Sequence, residues 1–98
     1  MEKGNKSDYR ELYRAVLMVK NEEECAALFE DLFTIAELSA AAQRIRVAQL
    51  LNEKKTCGAV SELTGASTAT VSRVNKCLNY GAGGYRLVLD RMEIDIEK

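Results

Sequence analysis

The sequence predicts an all-α domain, and three observations carry that prediction. The 98-residue chain has no proline. Its apolar residues recur at i, i+3, i+4 and i+7 over long stretches. The segment from Thr56 to Leu78 reads as two short helices around a tight turn. A chain of this length is expected to form a single domain over residues 1–98. So small a domain buries a modest share of its surface, and oligomerisation is a natural source of further stability.

Met1–Lys6 is a short polar lead-in, expected to fray. Ser7 is the expected N-cap of a first helix, whose apolar stripe is Tyr9, Leu12, Tyr13, Val16 and Leu17. Asn21, backed by Glu24, opens a second helix with Cys25, Leu28, Phe29, Leu32 and Phe33 on its buried face. The acidic run Glu22–Glu24 sits where a helix N-terminus favours negative charge, so capping accounts for it better than metal binding. Thr34 and Glu37 form a capping box that starts a long third helix, running to about Lys54. That helix carries Leu38, Ala41, Ala42, Ile45, Val47, Ala48, Leu50 and Leu51, which cover more than one face. A helix apolar nearly all round must be enclosed by neighbours, and a chain this short has few to offer. An interlocked homodimer, built on residues 7–54, meets that need.

Thr56 is the expected cap of the next helix, with Val60 and Leu63 on its apolar face and Ser61 small enough for a close crossing. Gly65 makes the turn. Val71, Val74 and Leu78 then fall at i, i+3 and i+7 as a buried stripe. Off that stripe lie Ser67, Thr68, Ala69, Thr70, Ser72, Arg73 and Lys76. Short hydroxyls and methyls can approach base edges and phosphates, while Arg and Lys neutralise the nucleic-acid backbone. Residues 56–79 thus have the composition of a helix-turn-helix, although an ordinary helical corner shares the spacing. The run from Asn79 to Gly84 is a helix stop and hinge. A last helix, 84–97, presents Tyr85, Val88, Leu89 and Met92 on one face and ends in the charged stretch Asp95–Lys98.

The net charge of −1 is unevenly spread. Residues 1–43 hold five Lys/Arg against nine Asp/Glu, a net −4, whereas residues 44–79 hold six against two, a net +4. The positive groups are Arg44, Arg46, Lys54, Lys55, Arg73 and Lys76, gathered around the candidate reading helix. That is a modest electrostatic footprint for double-stranded DNA, doubled in a dimer.

An enzyme is not expected. The chain has no histidine, no Gly-rich phosphate loop after a strand, and no Cys/Asp/Glu cluster at ligand spacing, so neither a cofactor nor a metal site is foreseen. Cys25, Cys57 and Cys77 are too scattered for a disulfide framework or a zinc site. Cys57 and Cys77 are expected as small buried apolar residues, and a reducing cytoplasm is the simplest compartment. No apolar run reaches membrane-spanning length and no signal-peptide pattern is present.

The segments Gln43-Arg44-Ile45-Arg46-Val47 and Gly65-Ala66-Ser67-Thr68-Ala69-Thr70-Val71-Ser72-Arg73 resemble the Trp-repressor superfamily, most closely its YerC/YecD-like branch. The similarity runs from about Tyr9 to Met92. It implies a six-helix subunit whose N-terminal helices interlock with a partner, leaving two helix-turn-helix heads to read successive major grooves of a pseudo-palindromic operator. In tryptophan-binding members of the family, two arginines and a threonine bound the corepressor pocket. Arg44, Arg73 and Thr34 stand at those positions here. The glycine that follows the second arginine is replaced by Val74, and the ligand-contacting serine by Cys77, a much weaker polar partner. A β-branched side chain in that slot fills the room an indole needs. Phosphate contact or surface pairing then explains Arg44 and Arg73 better than tryptophan, while a smaller anionic effector could still fit among Thr34, Arg44 and Arg73. The first helix of the head also departs from the family pattern, with Cys57, Gly58 and Ser61 where basic and amide groups touch phosphates. Lys54 and Lys55, just upstream, are the candidates to compensate.

The expected function is a dimeric transcriptional regulator, most simply a repressor that works without tryptophan. The rival is a helical homodimer that binds protein and keeps a relic DNA-binding head.

Overall fold

The computed structural model describes residues 6–97, with side chains to residue 93, and its elements are helices throughout that span. They are α1 (Lys6–Leu17), α2 (Glu22–Leu32), α3 (Ile35–Asn52), α4 (Cys57–Thr64), α5 (Thr68–Tyr80) and α6 (Gly84–Glu97). Of the lead-in expected to fray, residues 1–5 lie outside the described residues, as do the charged side chains at 95–98, while Lys6 belongs to α1. The chain divides into two compact units, residues 1–38 and 39–98.

In the first unit, local polar groups set the helix ends. α1 starts at Lys6, one residue before the expected cap, so Ser7 lies inside it and the carboxylate of Asp8 supplies favourable charge in the first turn. Asn21 caps α2 by accepting the Glu24 N–H at 2.8 Å, and Glu24 reaches back to the Lys20 N–H at 3.0 Å. Thr34 and Glu37 form the reciprocal capping box of α3. The Glu37 N–H donates to Thr34 Oγ1 at 3.1 Å, and the Thr34 N–H donates to Glu37 Oε1 at 2.9 Å. Both bonds favour the charged carboxylate, the Thr34 backbone donor first, and they hold the Glu37 pKa below its ordinary value. Phe29 and Phe33 meet edge to face with centroids 5.4 Å apart.

None of the described side chains in this unit is buried. Cys25, Leu28 and Phe29 are half-buried, whereas Leu32, Phe33 and the whole α1 stripe from Tyr9 to Leu17 are exposed. The amphipathic spacing forms the helices as expected, but within this unit their apolar faces stay uncovered.

The second unit holds the core. Val47, Ala48, Leu50, Val60, Ala66, Val71, Val74, Leu78 and Leu89 are buried together, with Leu51 and Tyr85 packed against them. Only one face of α3 contributes. Ala42 and Ile45, on its other side, are exposed. α3 stops at Asn52, two residues short of the expected end, in a Schellman turn. The Lys54 N–H donates to Leu51 O at 3.0 Å and the Lys55 N–H to Leu50 O at 3.3 Å. Lys54 therefore adopts a left-handed φ of 70°. Glycine normally serves at that position, and a residue with a Cβ costs roughly 1–2 kcal/mol there.

The end of α5 demands its glycine for a different reason. A Cβ on Gly81 would lie 2.4 Å from the Cys77 carbonyl oxygen, which also accepts the Gly81 N–H at 2.8 Å. A polar relay then ties α6 to the end of α3. Arg86 Nη1 donates to Asn52 Oδ1, and Asn52 Nδ2 donates to Glu93 Oε1 at 3.5 Å.

Candidate nucleic-acid interface

α4 and α5 pack against each other across a turn whose polar groups are satisfied internally. Thr56 caps α4 by accepting the Ala59 N–H at 3.1 Å. Gly65 ends the helix with φ 75°, and a Cβ there would meet nothing within 4 Å. What position 65 requires is thus conformational freedom rather than space. Three hydroxyl bonds close the turn. Ser61 Oγ donates to Ala66 O at 2.7 Å, Thr64 Oγ1 donates to Val60 O at 2.7 Å, and the Ala66 N–H donates to Thr64 Oγ1 at 3.1 Å. Gln43 of α3 adds a bond of 3.4 Å to Thr64 O. Ser61 is therefore more than a small residue at a crossing, since its hydroxyl spans the corner.

Val71, Val74 and Leu78 turn inward and seat α5 on the core. The opposite arc is open: Thr68, Ala69, Ser72, Arg73 and Lys76 are all exposed. Ser67 is exposed as well, but it is the N-cap of α5. It accepts the Thr70 N–H at 3.1 Å and donates its hydroxyl to Thr70 Oγ1, also at 3.1 Å. Thr70 is half-buried and stands at the edge of the open arc. The arc continues past Lys76 to Asn79 and Tyr80, with Tyr80 85% exposed. Sequence reasoning assigned those two residues to the helix stop. The signal was the spacing Ser72, Lys76, Tyr80, which keeps to one side of a helix that runs through Tyr80.

The cations of this unit form no ion pair among the described residues. Among the described residues the one ion pair is Arg14 with Glu11, in the other unit. Arg44, Lys54, Lys55, Arg73 and Lys76 are exposed without a carboxylate partner, and Arg46 bonds the neutral Gln49 at 3.3 Å. Unpaired cations beside exposed hydroxyls on one helix form a surface able to bind a polyanion.

The candidate ligand residues fall in different places. Thr34 lies in the first unit and is engaged as the cap of α3. Arg44 and Arg73 are exposed on the second unit. Val74 is only 1% exposed and belongs to the core. Cys77 is half-buried and lines an apolar cavity of about 450 Å³ with Ile45, Tyr85, Val88 and Leu89. Neither arginine is part of that wall. Two expectations about the head need correction. Cys57, the first residue of α4, is exposed rather than buried, and so is Leu63 at 65%. An eight-residue helix meets the core chiefly through Val60, and both residues fall off that contact. Among the described residues no cluster of His, Cys, Asp or Glu could hold a metal ion.

Residues 7–93 match the family model described as Trp repressor protein. The chain belongs to the Trp repressor family. It is 47% identical over 83 residues to YerC, an uncharacterized protein of Bacillus subtilis (strain 168), covering 85% of this chain and 80% of that one. A TrpR-like protein of Eubacterium eligens ATCC 27750 superposes with a TM-score of 0.86 at 43% identity, over 91% of this chain and 92% of its own. A candidate Trp repressor of Staphylococcus aureus gives a TM-score of 0.86 at 39% identity, over 92% and 90%. Trp repressor family members are non-enzymatic DNA-binding regulators, and this chain is accordingly a helix-turn-helix regulator with α4 and α5 as the motif. No helix among the described residues is long and apolar enough to cross a membrane.

Proposed function

We propose that the protein is a homodimeric repressor that binds a pseudo-palindromic operator through α5 and does so without tryptophan. The observation that carries this reading is the open arc of α5, where hydroxyls, a methyl and unpaired cations face solvent together. Thr68, Ala69 and Ser72 lie nearest the bases, with Thr70 at their margin and Ser67 fixing the start of the helix. Arg73 and Lys76 meet phosphates, as do Lys54 and Lys55 from the turn before α4. Two heads read half-sites about one helical turn, ~34 Å, apart.

Dimerisation through residues 7–54 is supported by what the single chain leaves uncovered. Tyr9, Leu12, Tyr13, Leu17 and Ile35 are exposed at 38–87%. Large exposed apolar side chains in such number support a site of association. Val74 argues against tryptophan, because its methyl groups occupy core volume beside Arg73 and an indole would overpack it. The exposed Arg44 and Arg73 are compatible with a small anionic effector. A repressor of this kind acts in the cytoplasm, where its DNA is.

Selection of bound fragments from random DNA by the purified protein tests the reading. The expected result is a two-fold symmetric consensus recovered with no small molecule added. Recovery of no enriched sequence at low salt would overturn it in favour of a protein-binding dimer with a relic head. The chain contains no tryptophan, so fluorescence anisotropy of added tryptophan reports binding without background. A saturable micromolar rise would refute the corepressor part.

A further inference from the structure

Lys54 is the one residue other than glycine with a positive φ among the described residues. Two backbone hydrogen bonds of the Schellman turn fix it there. Glycine would take the same conformation without the conflict between Cβ and the following carbonyl. The lysine side chain does nothing inside the protein that would account for its presence, since it is exposed and has neither an ion pair nor a hydrogen bond. A backbone outlier whose side chain is idle within the fold has its explanation outside the fold. Two residues later Thr56 caps α4, so Lys54 stands at the joint between α3 and the helix-turn-helix.

We propose that Lys54 is a phosphodiester anchor. The Schellman turn fixes where the side chain leaves the backbone, and its flexible four-carbon stem carries the ammonium out to a phosphate. The left-handed strain is the stability given up to set a cation at this joint. Lys55, its neighbour, has no positive φ and is the internal control. The proposal rests on the reading of the protein as a duplex binder with Lys54 on phosphate, and adds that the fold gives up stability for that contact.

The test compares Lys54→Gly, Lys54→Arg and Lys55→Gly with the parent, using thermal melts and binding to a pool of random-sequence duplexes of about 30 base pairs between about 50 and 200 mM salt. Lys54→Gly is expected to melt about 4 °C or more above the parent. The same variant should bind every duplex more weakly, with the slope of log affinity on log salt flattened by about 0.9 per subunit. Lys54→Arg should keep the parent's midpoint and slope, and Lys55→Gly should bring no rise in midpoint. A more stable Lys54→Gly with an unchanged salt slope would leave strain without a phosphate contact and overturn the proposal. An unchanged or lower midpoint would overturn it by removing the strain. If the parent binds the pool and only these results fail, the duplex-binding function stands. If the parent binds no duplex, both fall together.

Discussion

Replacing Val74 should separate core packing from helix propensity within α5. Its side chain is 1% exposed among Val47, Val60, Val71 and Leu78. Val74→Ala deletes two carbons from that core, a loss of about 1.6 kcal/mol by transfer alone and roughly 2 kcal/mol once the residual cavity is included. Val74→Gly deletes a third carbon and adds the glycine penalty of a helix interior, about 1 kcal/mol, for a total near 3–4 kcal/mol. Ser72 provides the control because it is exposed two residues away in the same helix. The Ser72→Ala and Ser72→Gly pair should differ by the helix term alone, about 1 kcal/mol. Circular-dichroism melts at one fixed protomer concentration measure all four, since the midpoint of a dimer depends on concentration. A domain of this size moves roughly 4–8 °C per kcal/mol, so Val74→Ala should melt roughly 8–16 °C low. Should the Val74 pair lose no more than the Ser72 pair, the valine is not in a packed core and its objection to an indole disappears.

Lys76→Ala should weaken binding to all duplexes alike and flatten the salt slope by about 0.9 per subunit, whereas Ser72→Ala should change which sequence is selected. Ile45 is 38% exposed in the single chain. Truncating it to alanine should weaken self-association by roughly 2 kcal/mol, visible in sedimentation equilibrium, and a dimer constant equal to the parent's would remove Ile45 from the interface. Glu37 titrates below its ordinary value because Thr34 bonds favour its charged form. The folded-state pKa lies under the unfolded one, so this stabilisation is complete above the unfolded value and fades as pH falls through the folded one. The gap in thermal midpoint between parent and Glu37→Ala should therefore hold constant at pH well above the ordinary glutamate value and close as pH falls below it. A gap independent of pH would assign Glu37 no role through its charge.

The caps were legible because they are local chemistry. Asn21, Thr34 with Glu37, Thr56 and Gly65 each satisfy or release backbone groups within four residues, and all sit where the sequence placed them. The stripe of Val71, Val74 and Leu78 was legible because a period of 3.6 survives any packing partner. Leu63 and Cys57 were misjudged because an eight-residue helix gives too little arc to show which side meets the core. The left-handed Lys54 carried no signal, as nothing in a lysine announces a positive φ. The candidate site was legible in composition but less so in extent. Ser67 emerged as a cap, Thr70 moved to the margin, and the open arc reached on to Asn79 and Tyr80.

The placement of the core bears on how the chain is made. Among the described residues every buried side chain lies between Val47 and Leu89, whereas synthesis delivers residues 1–38 first. As those residues leave the ribosome they carry Tyr9, Leu12, Leu17 and Ile35, which the single chain leaves exposed. At about 5–20 residues per second, several seconds pass before Leu89 exists to complete the packed half. Through that interval the nascent chain is a pair of helices whose apolar faces stay uncovered, which makes it a natural client for chaperones that shield such segments.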